Sequence, residues 1–455
     1  MSSPEPTAPI PAHRPVTRTH HGDTVIDPWE WLRDGTDPEV LAHLAAENAW
    51  TEHRTAHLKP LEEELFNDIK ARTQETDLSV PRWHRHANGS WWYYVRTVEG
   101  QDYPIHCRVP ADDRDTIPDP QDAALRAREQ VLLDQNTAAE GQSFFSLGAF
   151  AVSPNGELLA YSIDTEGDER YELRVRDIAS GRDHEVSIPQ TGSGVSWAGD
   201  AAVIYSRVDE AWRPHEVWRH TLGADPADDV LVLSEPDEMF WLGVDESRDR
   251  EWLVLTAGSK LTTEVWLLPT NDPTATPRSV AGRTPGLEYL VEVAGDELYI
   301  VHNADSPDFA ISRAPLPAQS PSEPGSVTLA TAAPTAPFET WQRFLGPTSG
   351  VRYSEVQAYA GHVVVGLRRD GRTAVEIHPR DGGAGTEVAF DEAVHTVYAQ
   401  GAEDYDTDRV RLLYTSLVTP PSVLSVDLAS AAVTTLKTTP VLDHPQRGAY
   451  SPDDY

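Results

Sequence analysis

At 455 residues the chain has room for two domains of ordinary size or for one large β architecture with an appendage. Hydrophobic residues at 39% suffice for a substantial core, and Lys+Arg 37 against Asp+Glu 73 leave a net charge of −36. Such a field repels nucleic acid and anionic membranes and favours cationic partners, and the single cysteine, Cys107, permits no intrachain disulfide.

The first 18 residues carry proline and charge where a signal peptide would be apolar. No run of about 18 apolar residues exists to form a membrane span, so the sequence reads as that of a cytoplasmic protein. Residues 1 to about 20 are Pro-rich and expected to form an extended arm. A helix should follow, capped by Asp37, with Pro38 in its first turn and Glu39 at the positive end of its dipole. Leu41, Leu44 and Ala45 give it an apolar stripe. Lys59-Pro60 ends it, and Leu61, Leu65 and Ile69 mark a second amphipathic helix.

After Thr76 the helical spacing ends. Short hydrophobic runs bounded by Gly, Pro, Asn and Asp take over: 91–95, 158–162, 202–206, 252–255, 297–301, 362–365 and 411–415. They are expected to be the first strands of seven units. Partner strands follow most of them, among them 172–177, 216–219 and 264–268. A spacing of roughly 45 to 67 residues suits four-stranded propeller blades with variable loops. A two-sheet sandwich would exceed the size at which one core stops growing. The fold expected is all-β: a seven-bladed β-propeller preceded by an N-terminal α-helical segment. The division expected is 1–78 for the arm and two helices, 79–436 for the propeller and 437–455 for a linker. Leu316 to Pro337, rich in Pro, Ser and Ala, reads as a flexible surface insertion.

Motifs for chemistry are sparse. A serine nucleophile of the G-x-S-x-G kind needs a tight strand-to-helix turn. The nearest stretches are Gly141-Gln142-Ser143-Phe144-Phe145, which lacks the second glycine, and Gly192-Ser193-Gly194-Val195-Ser196, whose serine directly follows its glycine. His53 and His57 sit four apart, but Arg54 stands where H-E-x-x-H has Glu. His84 and His86 share a strand face without an evident third ligand, and turn formation explains His20-His21. Cys107 reads as a buried structural thiol. No phosphate-binding glycine loop is present. No catalytic, cofactor-binding or metal-binding residue is therefore assigned, and no cofactor is expected. Trp91, Trp92, Trp218, Trp252 and Trp266 fall in strands and should fill gaps between blades.

Several stretches resemble oligopeptidase B, of the prolyl oligopeptidase family of serine peptidases: HGDTVIDPWEWLRD (21–34), QDYPIHCR (101–108), FFSLGAFAVSPNGELLAYSIDTEGDERYELRVRDIASG (144–181), DEAWRPHEVWRHTLG (209–223) and YTSLVTPPSVLSVDL (414–428). The resemblance implies a cytosolic serine peptidase that cleaves peptides after Arg or Lys. In that family a seven-bladed propeller caps an α/β-hydrolase domain and admits short or unfolded peptides. It also implies that the triad and the carboxylates holding the basic side chain belong to a part following the propeller. The stretch 448–455 resembles the linker into that part, so the hydrolase domain is expected to be missing and the chain inactive alone. Its own contribution would be size exclusion and an acidic lining or rim for short basic peptides, with a separately encoded hydrolase domain as partner. Trp29, Trp31 and Trp50 would face that domain and should otherwise sit exposed or poorly packed. A stand-alone propeller scaffold for protein interactions is the alternative. A propeller enzyme of its own, such as a metal-dependent lactonase, lacks the repeated carboxylate or histidine placement it would need. Neither nucleic acid nor membrane is expected as a partner.

Overall fold

Asp37 caps a helix in the computed structural model of the chain, which describes residues 7–119, 122–316, 333–401 and 404–443. Its carboxylate accepts from the Glu39 amide at 2.8 Å at the start of α1 (Pro38–Thr55). The 3-10 turn Ala56–Leu58 separates α1 from α2 (Lys59–Arg72), with Pro60 in the first turn, where its missing N–H costs nothing. Upstream, β1 (Val16–His20) pairs with β2 (Asp23–Asp27), so part of the expected arm is a strand. Its two-residue turn puts His21 at φ 52° and Gly22 at φ 82°, the left-handed pair that matches strand twist in a tight hairpin.

The described residues divide into two compact units, 7–74 with 441–443 and 75–440. Of the expected linker, 437–455, residues 437 and 438 belong to the strand Val433–Thr438, and 444–455 lie outside the described residues. In the first unit the apolar stripes of both helices stay open to solvent: Leu41, Leu44, Leu61, Leu65, Phe66 and Ile69 are each at least 51% exposed. Val40 is the buried hydrophobic residue of α1. Trp29 is 46% exposed, while Trp31 and Trp50 are half-buried. The Trp31 indole donates to the Ala12 carbonyl at 2.9 Å, and the Arg14 guanidinium lies 4.2 Å over its ring.

The second unit is a β-propeller with two one-turn helices, Ala123–Arg126 and Gln135–Ala138. Its first sheet has four strands: β3 (Arg82–His86), β4 (Gly89–Arg96), β5 (Ile105–Pro110) and β6 (Gln130–Asp134). An eight-stranded sheet follows. It comprises β7 (Ser146–Val152), β8 (Leu158–Asp164), β9 (Tyr171–Asp177), β10 (Arg182–Asp183), β11 (Ile188–Ala198), β12 (Ala202–Val208), β13 (Pro214–Thr221) and β14 (Val230–Ser234). Four more four-stranded sheets complete the unit. They are β15 (Trp241–Glu246) to β18 (Arg278–Ser279), β19 (Tyr289–Ala294) to β22 (Gln342–Leu345), β23 (Val351–Ala358) to β26 (Thr386–Glu387), and β27 (His395–Ala399) to β30 (Val433–Thr438). All pairings are antiparallel.

The hydrophobic runs expected to open each unit are instead second strands. Leu253 to Leu255 lie in the second strand of their sheet, Trp252–Gly258, and Val363 to Val365 in His362–Arg369. A second strand is covered on both faces by neighbouring sheets, which makes its sequence continuously apolar. First strands are more polar: β3 reads RWHRH and β15 reads WLGVDE.

Apolar clusters fill the spaces between successive sheets. Leu133 and Tyr161 belong to one that joins β6 to β8, and Ile204, Val217, Leu253 and Trp266 to another that joins the eight-stranded sheet to the next. Further clusters continue this pattern up to the last sheet. Among the described residues no such cluster joins the last sheet to the first, where Trp92, Tyr94, Ile105, Cys107 and Val109 form a cluster of their own. Polar contacts make that junction. Arg411, 8% exposed, donates to the Val80 carbonyl at 3.2 Å and to that of Pro81. Lys437 binds the Asp77 carboxylate at 2.6 and 2.7 Å, and Arg85 and Arg114 reach Asp406.

A second device ties strands within a sheet. Tyr161 on β8 donates to Asp183 at 2.8 Å, and Arg176 bridges the same carboxylate and the phenol. Tyr205 likewise donates to Asp229 at 2.8 Å and accepts from Arg207, but there the carboxylate pairs with the His220 ring at 2.7 Å. Of the strand tryptophans, Trp92, Trp252 and Trp266 are buried. Trp91 and Trp218 are half-buried, each covered by an arginine, Arg108 at 3.9 Å and Arg207 at 4.5 Å. The expected insertion lies largely outside the described residues, but Thr335 and Ala336 bond to the carbonyls of Ser279 and Val280.

Candidate functional site

Alternation along β3 places Arg82, His84 and His86 on one face, and that face borders a cavity of about 740 Å³. Phe150 to Val152 of β7, Val195 to Trp197 of β11, Glu246 of β15 and Gln400, just beyond β27, complete much of its wall. First strands of several sheets thus meet around one space, which also reaches the junction of first and last sheets through Val80, Arg411 and Lys437. A concave, mainly apolar space with a few polar groups is the usual form of a ligand site.

The polar wall of this cavity is mainly cationic. Arg82, Arg250, Arg411 and Lys437 face one carboxylate, Glu246. The net charge of the chain is therefore not concentrated here. Arg250 binds Asp404 at 3.2 Å and the His84 ring at 2.9 Å, and Arg411 and Lys437 are held by the closing contacts above. Glu246 is open to water yet ringed by protein; that desolvation holds its carboxyl above the usual range, partly offset by Arg250.

His86 and His106 are neutral at physiological pH. Burial lowers His86 to about 4, with the charges of Arg250, His84 and Arg108 adding to the effect, and burial alone lowers His106 to about 4. His86 Nδ1 lies 3.1 Å from the Ser153 carbonyl and Nε2 lies 2.9 Å from the Tyr93 hydroxyl. His106 stacks on Phe150 with centroids 4.4 Å apart. Cys107 also borders the cavity, and burial pushes its thiol up to about 12, which leaves it unreactive as a nucleophile.

Ser143 lies in the connection before β7 and Ser193 lies inside β11, where its carbonyl accepts from Ser162 at 2.7 Å. Neither stands on a strand-to-helix turn. His53 lies in α1 and His57 in the following 3-10 turn, with its Nδ1 3.0 Å from the Arg54 carbonyl. Among the described residues no group of three His, Cys, Asp or Glu is placed to hold a metal ion, and no helix is long and apolar enough to cross a membrane.

The sequence pattern singles out His84, His86 and Cys107 but not Arg82, Arg250 or Glu246. Alternation on a polar first strand was the signal available for Arg82; Arg250 and Glu246 gave none, because their convergence depends on the closure of the ring.

The fold and cavity define a β-propeller domain with a space bordered by its first strands. The chain belongs to the prolyl oligopeptidase family: residues 9–439 match the model for "Prolyl oligopeptidase, N-terminal beta-propeller domain". It is 30% identical over 444 residues to dipeptidyl aminopeptidase BI of Pseudoxanthomonas mexicana, covering 96% of this chain and 58% of the relative. Protease 2 of Moraxella lacunata is 27% identical over 438 residues, with 95% and 59% covered. Oligopeptidase B of Trypanosoma brucei, in a closed form with antipain covalently bound, superposes with a TM-score of 0.84 at 28% identity, covering 98% of this chain and 62% of that one. The chain thus spans between 58% and 62% of the length of these relatives.

Proposed function

We propose that this chain is the substrate-gating propeller of an oligopeptidase B-like serine endopeptidase that cleaves short basic peptides after Arg or Lys. In this reading the eight-stranded sheet counts as two blades, β7–β10 and β11–β14, which meet through β9 and β11 and bring the total to seven. An apolar cluster of Ala160, Leu173, Ile188, Trp197 and Val203 between its halves supports that count, since separate sheets pack in the same way. Hydrolysis belongs to an α/β-hydrolase domain, and the exposed apolar stripes of α1 and α2 are suited to pack against it. The propeller admits peptides narrow enough to pass and excludes folded proteins. The net charge of −36 favours encounter with basic peptides at long range. The observation that carries this reading is the match of residues 9–439 to the propeller of this peptidase family.

The test has two parts. The chain alone, given a fluorogenic peptide with Arg at the cleavage position and a serine-reactive phosphonate, should neither turn over nor become labelled. Mixed with a hydrolase domain of the family, it should allow cleavage of the peptide while suppressing cleavage of folded proteins. A labelled serine in residues 1–455, or cleavage of folded proteins unaffected by this chain, would overturn the proposal.

A further inference from the structure

Two charged groups on the cavity wall make no hydrogen bond or close ion pair among the described residues. Arg82 makes no side-chain hydrogen bond or ion pair among the described residues, whereas Arg250, Arg411 and Lys437 are all engaged. Glu246 likewise has no hydrogen-bonding or ion-pairing partner among them. The two are not paired with each other, since no N–O approach within 4.0 Å joins them. Both face the cavity with water as their partner, which a ligand of matching charge can displace. One cationic and one anionic group facing the same space are best satisfied by a molecule that carries both opposite charges. The apolar lining of the same space, with Phe150, Val152 and Val195, offers surface for an uncharged side chain.

We propose that the cavity binds short peptides that have a free C-terminal carboxylate and a basic side chain, Arg82 taking the carboxylate and Glu246 the cation. Resting on the peptidase reading above, this ligand class is the product of cleavage after Arg or Lys. The site would retain product inside the propeller and slow its exit. At about 740 Å³ the space falls in the range of sites for small ligands, roughly 300–1,000 Å³.

The test is calorimetric titration of the full chain, without any hydrolase domain, using acetyl-Phe-Arg as free acid, its C-terminal amide, and acetyl-Phe-citrulline. The free acid should bind at least tenfold tighter than either analogue. Arg82→Gln should abolish the difference between acid and amide, and Glu246→Gln the difference between arginine and citrulline, with circular dichroism unchanged. Equal binding of acid and amide by the unaltered chain, or no binding of the acid, would overturn the proposal even if a variant failed to fold. Binding without complementation of a hydrolase domain would instead sink the peptidase reading and leave this site standing.

Discussion

Replacing Arg411 by Met should loosen the junction between the last and first sheets without unfolding the rest of the propeller. The side chain is 8% exposed, and its guanidinium donates to the carbonyls of Val80 and Pro81. A hydrogen bond to a charged group contributes about 1.5–3 kcal/mol. Water in the adjoining cavity can replace part of two such bonds, so a loss of about 2–3 kcal/mol is expected. Every other junction between successive sheets carries an apolar cluster, so the loss should appear as local opening. Hydrogen exchange should accelerate roughly 30- to 150-fold in 82–86 and 433–438, since about 1.4 kcal/mol is tenfold. Strand Trp252–Gly258, packed in two apolar clusters, should keep its protection. Uniform acceleration across all sheets, or none in the first and last, would refute the idea that polar contacts alone close this ring.

Glu355 has a buried Oε1 without a hydrogen-bond partner, and burial holds its carboxyl above the usual range. A carboxyl raised in the folded state stabilises the fold fully below its unfolded value of about 4.3, and that contribution is lost as pH rises through the folded value. Glu355→Gln should therefore raise the urea midpoint at pH 8 and leave it unchanged at pH 4; a pH-independent difference would contradict this. Tyr161→Phe removes bonds of 2.8 Å to Asp183 and 3.1 Å to Arg176 while those two stay paired at 2.7 Å. The loss should be about 1 kcal/mol by urea titration, and a loss above about 3 kcal/mol would mean that the phenol holds more than this triad.

The sequence by itself determined the local elements whose causes are local. Asp37 and Pro38 set the start of α1, the hydrophobic runs marked seven strands, and turn residues bounded them, because capping, burial and backbone freedom act within a few residues. It misassigned those runs as first strands, since a strand's place in a sheet depends on what covers its two faces. Tertiary structure alone decided which charges meet. Arg82 stands more than 160 residues before Glu246 and Arg250 in the sequence, yet shares a wall with them because the sheets return around one space. The charge of the cavity wall is decided in the same way: net charge is a sum over the chain, whereas a wall is selected by the few side chains that the ring turns inward.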